Sequence, residues 1–430
     1  MTRQIDMSEP IRALRGMNDI LPDEAERWEA LEEVLREWLR SYGYRNVRTP
    51  ILEHTALFRR AIGEATDIVE KEMYSFTDEL NQESLTLRPE ATASVARAAA
   101  EHSLLYGGGQ RLYYIGPMYR HERPQKGRYR QFHQVGAEAL GFPGPDIDAE
   151  LLLMCARLWD DLSLDGIRLE LNCLGSAAER AAYRKSLSAY FASREKDLDE
   201  DSKRRLRTNP LRILDSKNPA MQALIAGAPR LLDGLGEESL KHFEGVQAIL
   251  KDAGRPYEIN PRLVRGLDYY NLTVFEWVSD NLGAQAAVCA GGRYDGLLEQ
   301  IGGKAAPACG FAMGIERLLA LAGDSHQRVC PDVYLVNEGE RAERFAFRVA
   351  EALREAGFSV VQHSGAGGFK SQMKKADASG APVAVILGDE ESQAGEASVK
   401  ALREEREQFR VSLESLPEAI SDLLFGDADD

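Results

Sequence analysis

Apolar residues recur at intervals of three and four along residues 23–43: Trp28, Leu31, Val34, Leu35, Trp38 and Leu39. That spacing predicts an amphipathic helix, ended by Gly43. "YRNVRTPILE" then reads as a strand closed by Pro50, and "SLTLRP" at 84–89 as another, followed by an alanine-rich helix over about 90–102. Two strands joined by a charged connection are expected between 111 and 140, then a helix at 148–162 and a strand at 167–173. Residues 176–258 are helical in pattern, highly charged ("SREKDLDEDSKRRLR") and contain no convincing strand, which suggests an inserted helical module. In "RLVRGLDYYNLTVFEW", residues 262–277, the part from Thr273 is rich in β-branched and aromatic residues and reads as a buried strand. The strand-rich pattern runs on to a helix at 314–323.

From Pro331 the pattern becomes β-α-β-α-β: "DVYLV", a helix at 340–356, "FSVVQH", a helix at 369–379 and "PVAVILG". A small α/β domain with a mostly parallel sheet follows from that alternation. "GDSHQRVCP" at 323–331 is the expected linker. The expected division is a core in two parts, 1–175 and 261–325, an inserted helical domain at 176–260, and the α/β domain at 331–430.

Composition narrows the functional classes. The 430 residues are 44% hydrophobic and 28% charged, as in a globular protein, and no run of about 18 apolar residues predicts a membrane span. "MTRQIDMSEPIRALRG" has no apolar core of the kind a signal peptide needs. Five cysteines, at 155, 173, 289, 309 and 330, form no C-x-x-C pair and read as thiols in a reducing cytoplasm rather than as a zinc site. A net charge of −16 disfavours sequence-independent binding of polyanions, so a nucleic-acid partner would have to be met by local basic patches.

Candidate chemistry gathers in four places. Of the eleven residues from Arg120 to Arg130, five are basic and one is acidic, and Pro124 and Gly127 make the stretch a loop. On the strand after it, period-two alternation sets Phe132, Gln134, Gly136 and Glu138 on one face, a lined pocket in which Gly136 leaves room for a ligand. In "LTLRPEATASVARA", Pro89 and Glu90 suit a helix start, where a carboxylate complements the unpaired amides. "CAGGRYDGLLEQIGG" reads as a Gly-Gly turn bearing Arg293 and Tyr294. "GFAMGIERLL" opens a helix with Glu316 and Arg317; an arginine there needs an anionic partner, which Glu316 could be. Arginines 120, 265 and 317 suggest a triphosphate held by guanidinium forks, since no G-x-x-x-x-G-K-[ST] loop occurs. The residues alone thus describe an antiparallel-sheet enzyme for a phosphate-rich substrate and something small, polar and cationic.

These segments resemble the class II aminoacyl-tRNA synthetases: "VRTPILE" is similar to the first class motif, "YRHERPQKGRYRQFHQ" to the second and "GFAMGIERLL" to the third. "RGLDYY" and "AGGRYDGL" are narrower and resemble the two signatures of the histidyl-tRNA synthetase family of bacterial type; "RGMNDILP" and "LTLRPE" agree. The resemblance spans about residues 10–424. It implies an α+β fold: an antiparallel catalytic sheet of six or seven strands with flanking helices, an inserted helical domain, and a C-terminal α/β anticodon-binding domain. It also implies a homodimer without membrane attachment, acting in the cytoplasm on L-histidine, ATP and tRNA(His), with Mg²⁺ riding on ATP and no zinc.

Carried over residue by residue, the resemblance puts Arg120 on the α-phosphate with Glu122 beside it in the Arg-x-Glu pair. Arg317 would lie at the ATP tail and adenine, and Arg265 at the charge developing on the α-phosphate. Glu90 and Thr92 would hold the α-amino group, Gln134 the carboxylate end and Glu138 the imidazole. Tyr270 and Tyr294 would close the pocket, with Tyr269 packed beside them. Gln125 and Arg128 would meet the tRNA acceptor end. Asp268 receives no role beyond holding neighbouring donors, and Leu272 stands where many members carry a basic residue. The α/β domain holds 11 basic and 20 acidic residues, so anticodon contact would depend on a patch such as "FKSQMKK". A regulatory relative without catalysis, the main rival, would lack the C-terminal domain and the signatures that this chain carries.

Overall fold

The computed structural model describes residues 10–426 apart from Ala65, Lys126, Asp215, Lys217, Ala286, residues 324–328 and Ala366. The chain forms two compact units, residues 1–325 and 326–430. Most of the expected linker lies outside the described residues.

The first unit is built on an eight-stranded sheet in the order Arg45–Asn46, Gln110–Tyr119, Gln131–Leu140, Ala308–Gly314, Ala287–Arg293, Asn271–Ser279, Ile167–Cys173 and Glu258–Ile259. The six inner strands pair antiparallel; only the two-residue edge strands pair parallel. Side-chain alternation divides the sheet into two faces. On one face Val135, Ala137, Ala139, Phe275, Trp277, Phe311 and Met313 pack against the helices Pro22–Ser41 and Pro145–Asp161. Pro22 pre-sets the start of the first of these, which buries Trp28, Leu31, Leu35, Trp38 and Leu39. Val34 departs from the sequence pattern and stays exposed. Full burial of a residue such as Leu35 contributes ~1.5–3 kcal/mol. The opposite face carries Tyr114, Val274 and Ala308 against the helix Thr92–Glu101 and the first part of the helical stretch that follows residue 176, whose last helix, Glu237–Asp252, instead packs Phe243, Val246 and Leu250 on the first face.

That stretch contains the helices Ala177–Ala192, Glu200–Thr208, Gln222–Ala226 and Glu237–Asp252, and ends in the short strand Glu258–Ile259, which the sequence reading did not anticipate. "YRNVRTPILE" is two strands rather than one. Arg45–Asn46 joins the large sheet, while Leu52–His54 joins Ser84–Leu87 and Tyr74–Thr77 in a small antiparallel sheet. Pro50, which has no N–H to donate, lies at the break.

The second unit has a five-stranded sheet in the order Val360–Gln362, Val333–Glu338, Val383–Gly388, Glu396–Ala401 and Phe409–Ser412. The first three are parallel, as the β-α-β-α-β pattern predicts; the last two are antiparallel additions, followed by the helix Leu416–Phe425.

Candidate active site

Strand Gln131–Leu140 turns Phe132 and Gln134 toward a cavity of about 310 Å³ in the first unit. Behind the cavity lining lies Glu138, 1% exposed. Thr92 Oγ1 donates to Glu138 Oε1 at 2.6 Å, and the Tyr294 hydroxyl donates to Oε2. Burial pushes the Glu138 carboxyl up to about 8, and the hydroxyl donors only partly offset it. Room for this carboxylate comes from the neighbouring strand: Gly310 pairs with Glu138, and a Cβ there would sit 1.8 Å from Oε2. Tyr269, Tyr270 and Tyr294 form one aromatic wall, with ring centroids 4.6, 5.5 and 6.3 Å apart.

Glu90 is buried and caps the helix Thr92–Glu101, accepting from the amides of Thr92 at 2.8 Å and Ala93 at 2.9 Å. Its pKa is raised, because burial outweighs those bonds. The plain helix-cap role is therefore real, and the same carboxylate also lines the cavity.

Part of the lining is cationic. Arg120 donates to Pro89 O at 2.8 Å and lies over the Phe132 ring, 5.2 Å from its centroid. Arg128 pairs with Glu122, which lies 3.9 Å from Arg120. Arg317 donates to Ala287 O and Gly127 O; burial and the nearby Arg128 and Arg120 lower its pKa. Arg265 pairs with Glu276 and lies over the Tyr270 ring at 5.7 Å. Burial disfavours its charge, but Glu276 and Tyr270 more than compensate. Among the described residues, the buried Gln134 Oε1 and Arg265 Nε find no hydrogen-bond partner. Unpaired buried groups are costly unless a ligand or water meets them.

Arg120, Glu122, Glu90, Thr92, Gln134, Arg265, Tyr269, Tyr270, Tyr294, Arg317 and Arg128 thus line one cavity, with Glu138 directly behind Thr92 and Tyr294. Gln125 does not line it; its backbone closes a tight turn with Arg128, N to O at 3.0 and 2.9 Å. Three details differ from expectation. The space beside Gly136 is filled by Tyr114, whose hydroxyl lies 2.3 Å from where a Cβ would be. Gly291 and Gly292 belong to strand Ala287–Arg293 rather than to a turn, and Arg293 is fully buried against Asp148. Glu316 accepts from the His133 amide at 2.8 Å, and its carboxylate meets the His133 ring rather than Arg317.

Sequence reasoning missed Tyr114 and Glu276. The available signals were Gly136, which faces Tyr114 in register, and a lone carboxylate inside the apolar run "TVFEWV". Leu272 takes a left-handed φ of 47° where the backbone enters its strand.

Residues 16–318 match the family of histidyl-tRNA synthetases, and residues 332–423 match the anticodon binding domain. The chain belongs to the histidyl-tRNA synthetase family. The histidine–tRNA ligase of Aromatoleum aromaticum is 66% identical over 428 residues, covering 99% of this chain and 98% of that protein. The one from Dechloromonas aromatica is 66% identical, covering 96% and 97%. Apo S. aureus histidyl-tRNA synthetase superposes with a TM-score of 0.80 at 37% identity, over 96% of this chain and all of that one. The family's α+β class II architecture, with a C-terminal α/β domain, is the architecture of this chain. Among the described residues no helix is long and apolar enough to cross a membrane.

Proposed function

We propose that the cavity of the first unit is where histidine and ATP meet to form histidyl-adenylate. The activity is the ATP-dependent ligation of L-histidine to tRNA(His) through that intermediate. In the first step a histidine carboxylate oxygen attacks the α-phosphorus, and the bond to pyrophosphate breaks. In the second the terminal adenosine hydroxyl of the tRNA attacks the acyl carbon, and AMP leaves.

The assignment of roles is supported by a single cavity lined by Glu90, Thr92, Tyr269, Tyr270 and Tyr294, with the buried Glu138 behind Thr92 and Tyr294, and by the guanidinium groups of Arg120, Arg128, Arg265 and Arg317. Histidine, with a ring N–H at one end and a carboxylate at the other, fits lengthwise between Glu138 and these guanidinium groups. Glu138 accepts from the imidazole, while Tyr269, Tyr270 and Tyr294 wall the ring. Glu90 and Thr92 take the α-amino group, and Gln134 the carboxylate end. A site that demands partners for buried polar groups discriminates strongly against isosteres lacking them.

Arg120, aided by Glu122, holds the α-phosphate, and Arg317 the ATP tail and adenine side. Arg265 stabilises charge that grows on the α-phosphate in the transition state, where a fixed cation is most effective. Mg²⁺ accompanies the β- and γ-phosphates of ATP; zinc has no part in this reading. Gln125 and Arg128 face the tRNA acceptor end, the molecule acts as a homodimer, and its compartment is the cytoplasm. The test is exchange of labelled pyrophosphate into ATP without tRNA. Histidine alone among the amino acids is expected to support it; exchange driven by another amino acid would overturn the reading.

A further inference from the structure

Between Leu263, whose carbonyl is held by Asn172 Nδ2 at 2.9 Å, and the strand Asn271–Ser279, the segment carrying Arg265 belongs to no helix or strand. A free backbone there would leave the Arg265 guanidinium poorly aimed, and misplacement by about 1 Å can cost a hundredfold in rate. Side chains from the helical stretch close over this segment. Arg180, on the helix Ala177–Ala192, donates through one nitrogen to the carbonyls of both Asp268, at 3.3 Å, and Tyr270. The start of that helix is fixed by a capping box, Ser176 with Glu179. Asn209 Nδ2 donates to Asp268 Oδ1 at 3.3 Å. Arg212, tied to Asp67 Oδ2 at 2.9 Å, has Nη1 3.3 Å from where a Cβ on Gly266 would lie. On the far flank, the Asp268 amide donates to Ile62 O at 3.0 Å.

We propose that Arg180 is a positioning residue for adenylation: with Asn209 and Arg212 it clamps the backbone of 266–270, Asp268 is the point gripped, and the helical stretch thereby aims Arg265. Arg180 acts through Arg265 and touches no substrate. The inference rests on the reading of this cavity as the adenylating site, and it gives the helical module a role in the first step, before any tRNA binds. It also assigns Asp268, whose Oδ1 meets Asn209 of the helical stretch while Oδ2 lies against Gly63.

The test uses the full-length protein and the variants Arg180→Met, Arg265→His and the double variant. Arg180→Met is expected to lower kcat for histidine-dependent pyrophosphate exchange at least tenfold, more than it changes the histidine KM. In the Arg265→His background it is expected to cost less than a further twofold, because the residue it positions is gone. Arg180→Lys, which keeps the charge and can reach one carbonyl, recovers part of the loss. Hydrogen exchange read by mass spectrometry gives an arm independent of activity: amides of 266–270 are expected to exchange at least tenfold faster in Arg180→Met, and those of 273–279 to stay unchanged. Equal losses in both backgrounds, or unchanged protection of 266–270, would overturn the proposal. Where Arg265→His leaves no measurable exchange activity, hydrogen exchange decides. A wild-type protein inactive with histidine would overturn the functional reading instead, and the hydrogen-exchange arm would still test the clamp.

Discussion

Tyr294 donates its hydroxyl to Glu138 across 156 residues of sequence, joining the glycine-rich signature to the strand after the arginine-rich loop. A hydrogen bond of this kind contributes about 0.5–1.5 kcal/mol, and leaving its buried acceptor unsatisfied costs about 1–3 kcal/mol. Tyr294→Phe keeps the ring and removes the donor. The histidine KM in pyrophosphate exchange is expected to rise about tenfold or more, with a smaller change in kcat. A change confined to kcat would contradict Tyr294 as part of the amino-acid pocket.

Glu138 makes a pH-dependent prediction for the histidine-free protein. Below the ordinary carboxylate range both folded and unfolded states hold the proton, and burial costs nothing. As pH rises toward about 8, the unfolded chain releases a proton that the folded protein keeps. Stability is therefore lost across that interval and levels off above it. Glu138→Gln has no such proton, so calorimetry at pH 5 and pH 9 should show the variant gaining on the wild type at pH 9. Parallel melting profiles would contradict a buried, proton-holding carboxyl. The same variant should bind histidine at least tenfold more weakly.

Arg265→Ala addresses rate rather than binding. Loss of one preorganised group facing developing charge typically costs about 10²–10³ in kcat. Exchange kcat is expected to fall in that range, while histidine affinity by calorimetry changes by less than about threefold. Parallel losses in rate and affinity, with the fold intact, would make Arg265 a ground-state anchor.

Arg293 uses its guanidinium on Asp148, Asp295, Phe142 O and Gly144 O, with no exposed surface. Removing one partner of a buried pair costs about 3–5 kcal/mol, because the other charge stays behind. Asp148→Ala should lose that much in urea unfolding of the full chain. A loss under about 1 kcal/mol would mean that Asp295 alone satisfies the arginine.

Much of the site was legible because alternation in a strand is a strong rule: Phe132 and Gln134 line the cavity, and Glu138 meets Thr92 and Tyr294 of its lining. Cross-strand relations were not. Gly136 announces an empty position, but only the register shows that Tyr114 fills it. Gly291 and Gly292 carry turn chemistry, yet they lie in a strand with a register shift beside Arg293, where a neighbouring strand needs their missing side chains. The His133–Glu316 contact spans 183 residues and has no local signature. In the second unit, strands Glu396–Ala401 and Phe409–Ser412 flank the charged "REEREQ", whose polarity hides a hairpin at the sheet edge.

The decisive measurement is a crystal structure with histidine and a non-hydrolysable ATP analogue. An imidazole nitrogen is expected within hydrogen-bonding distance of Glu138, the ring inside the wall of Tyr269, Tyr270 and Tyr294, and the α-phosphate between Arg120 and Arg265. An imidazole bound elsewhere, or phosphates beyond reach of those arginines, would contradict the proposed roles of these residues.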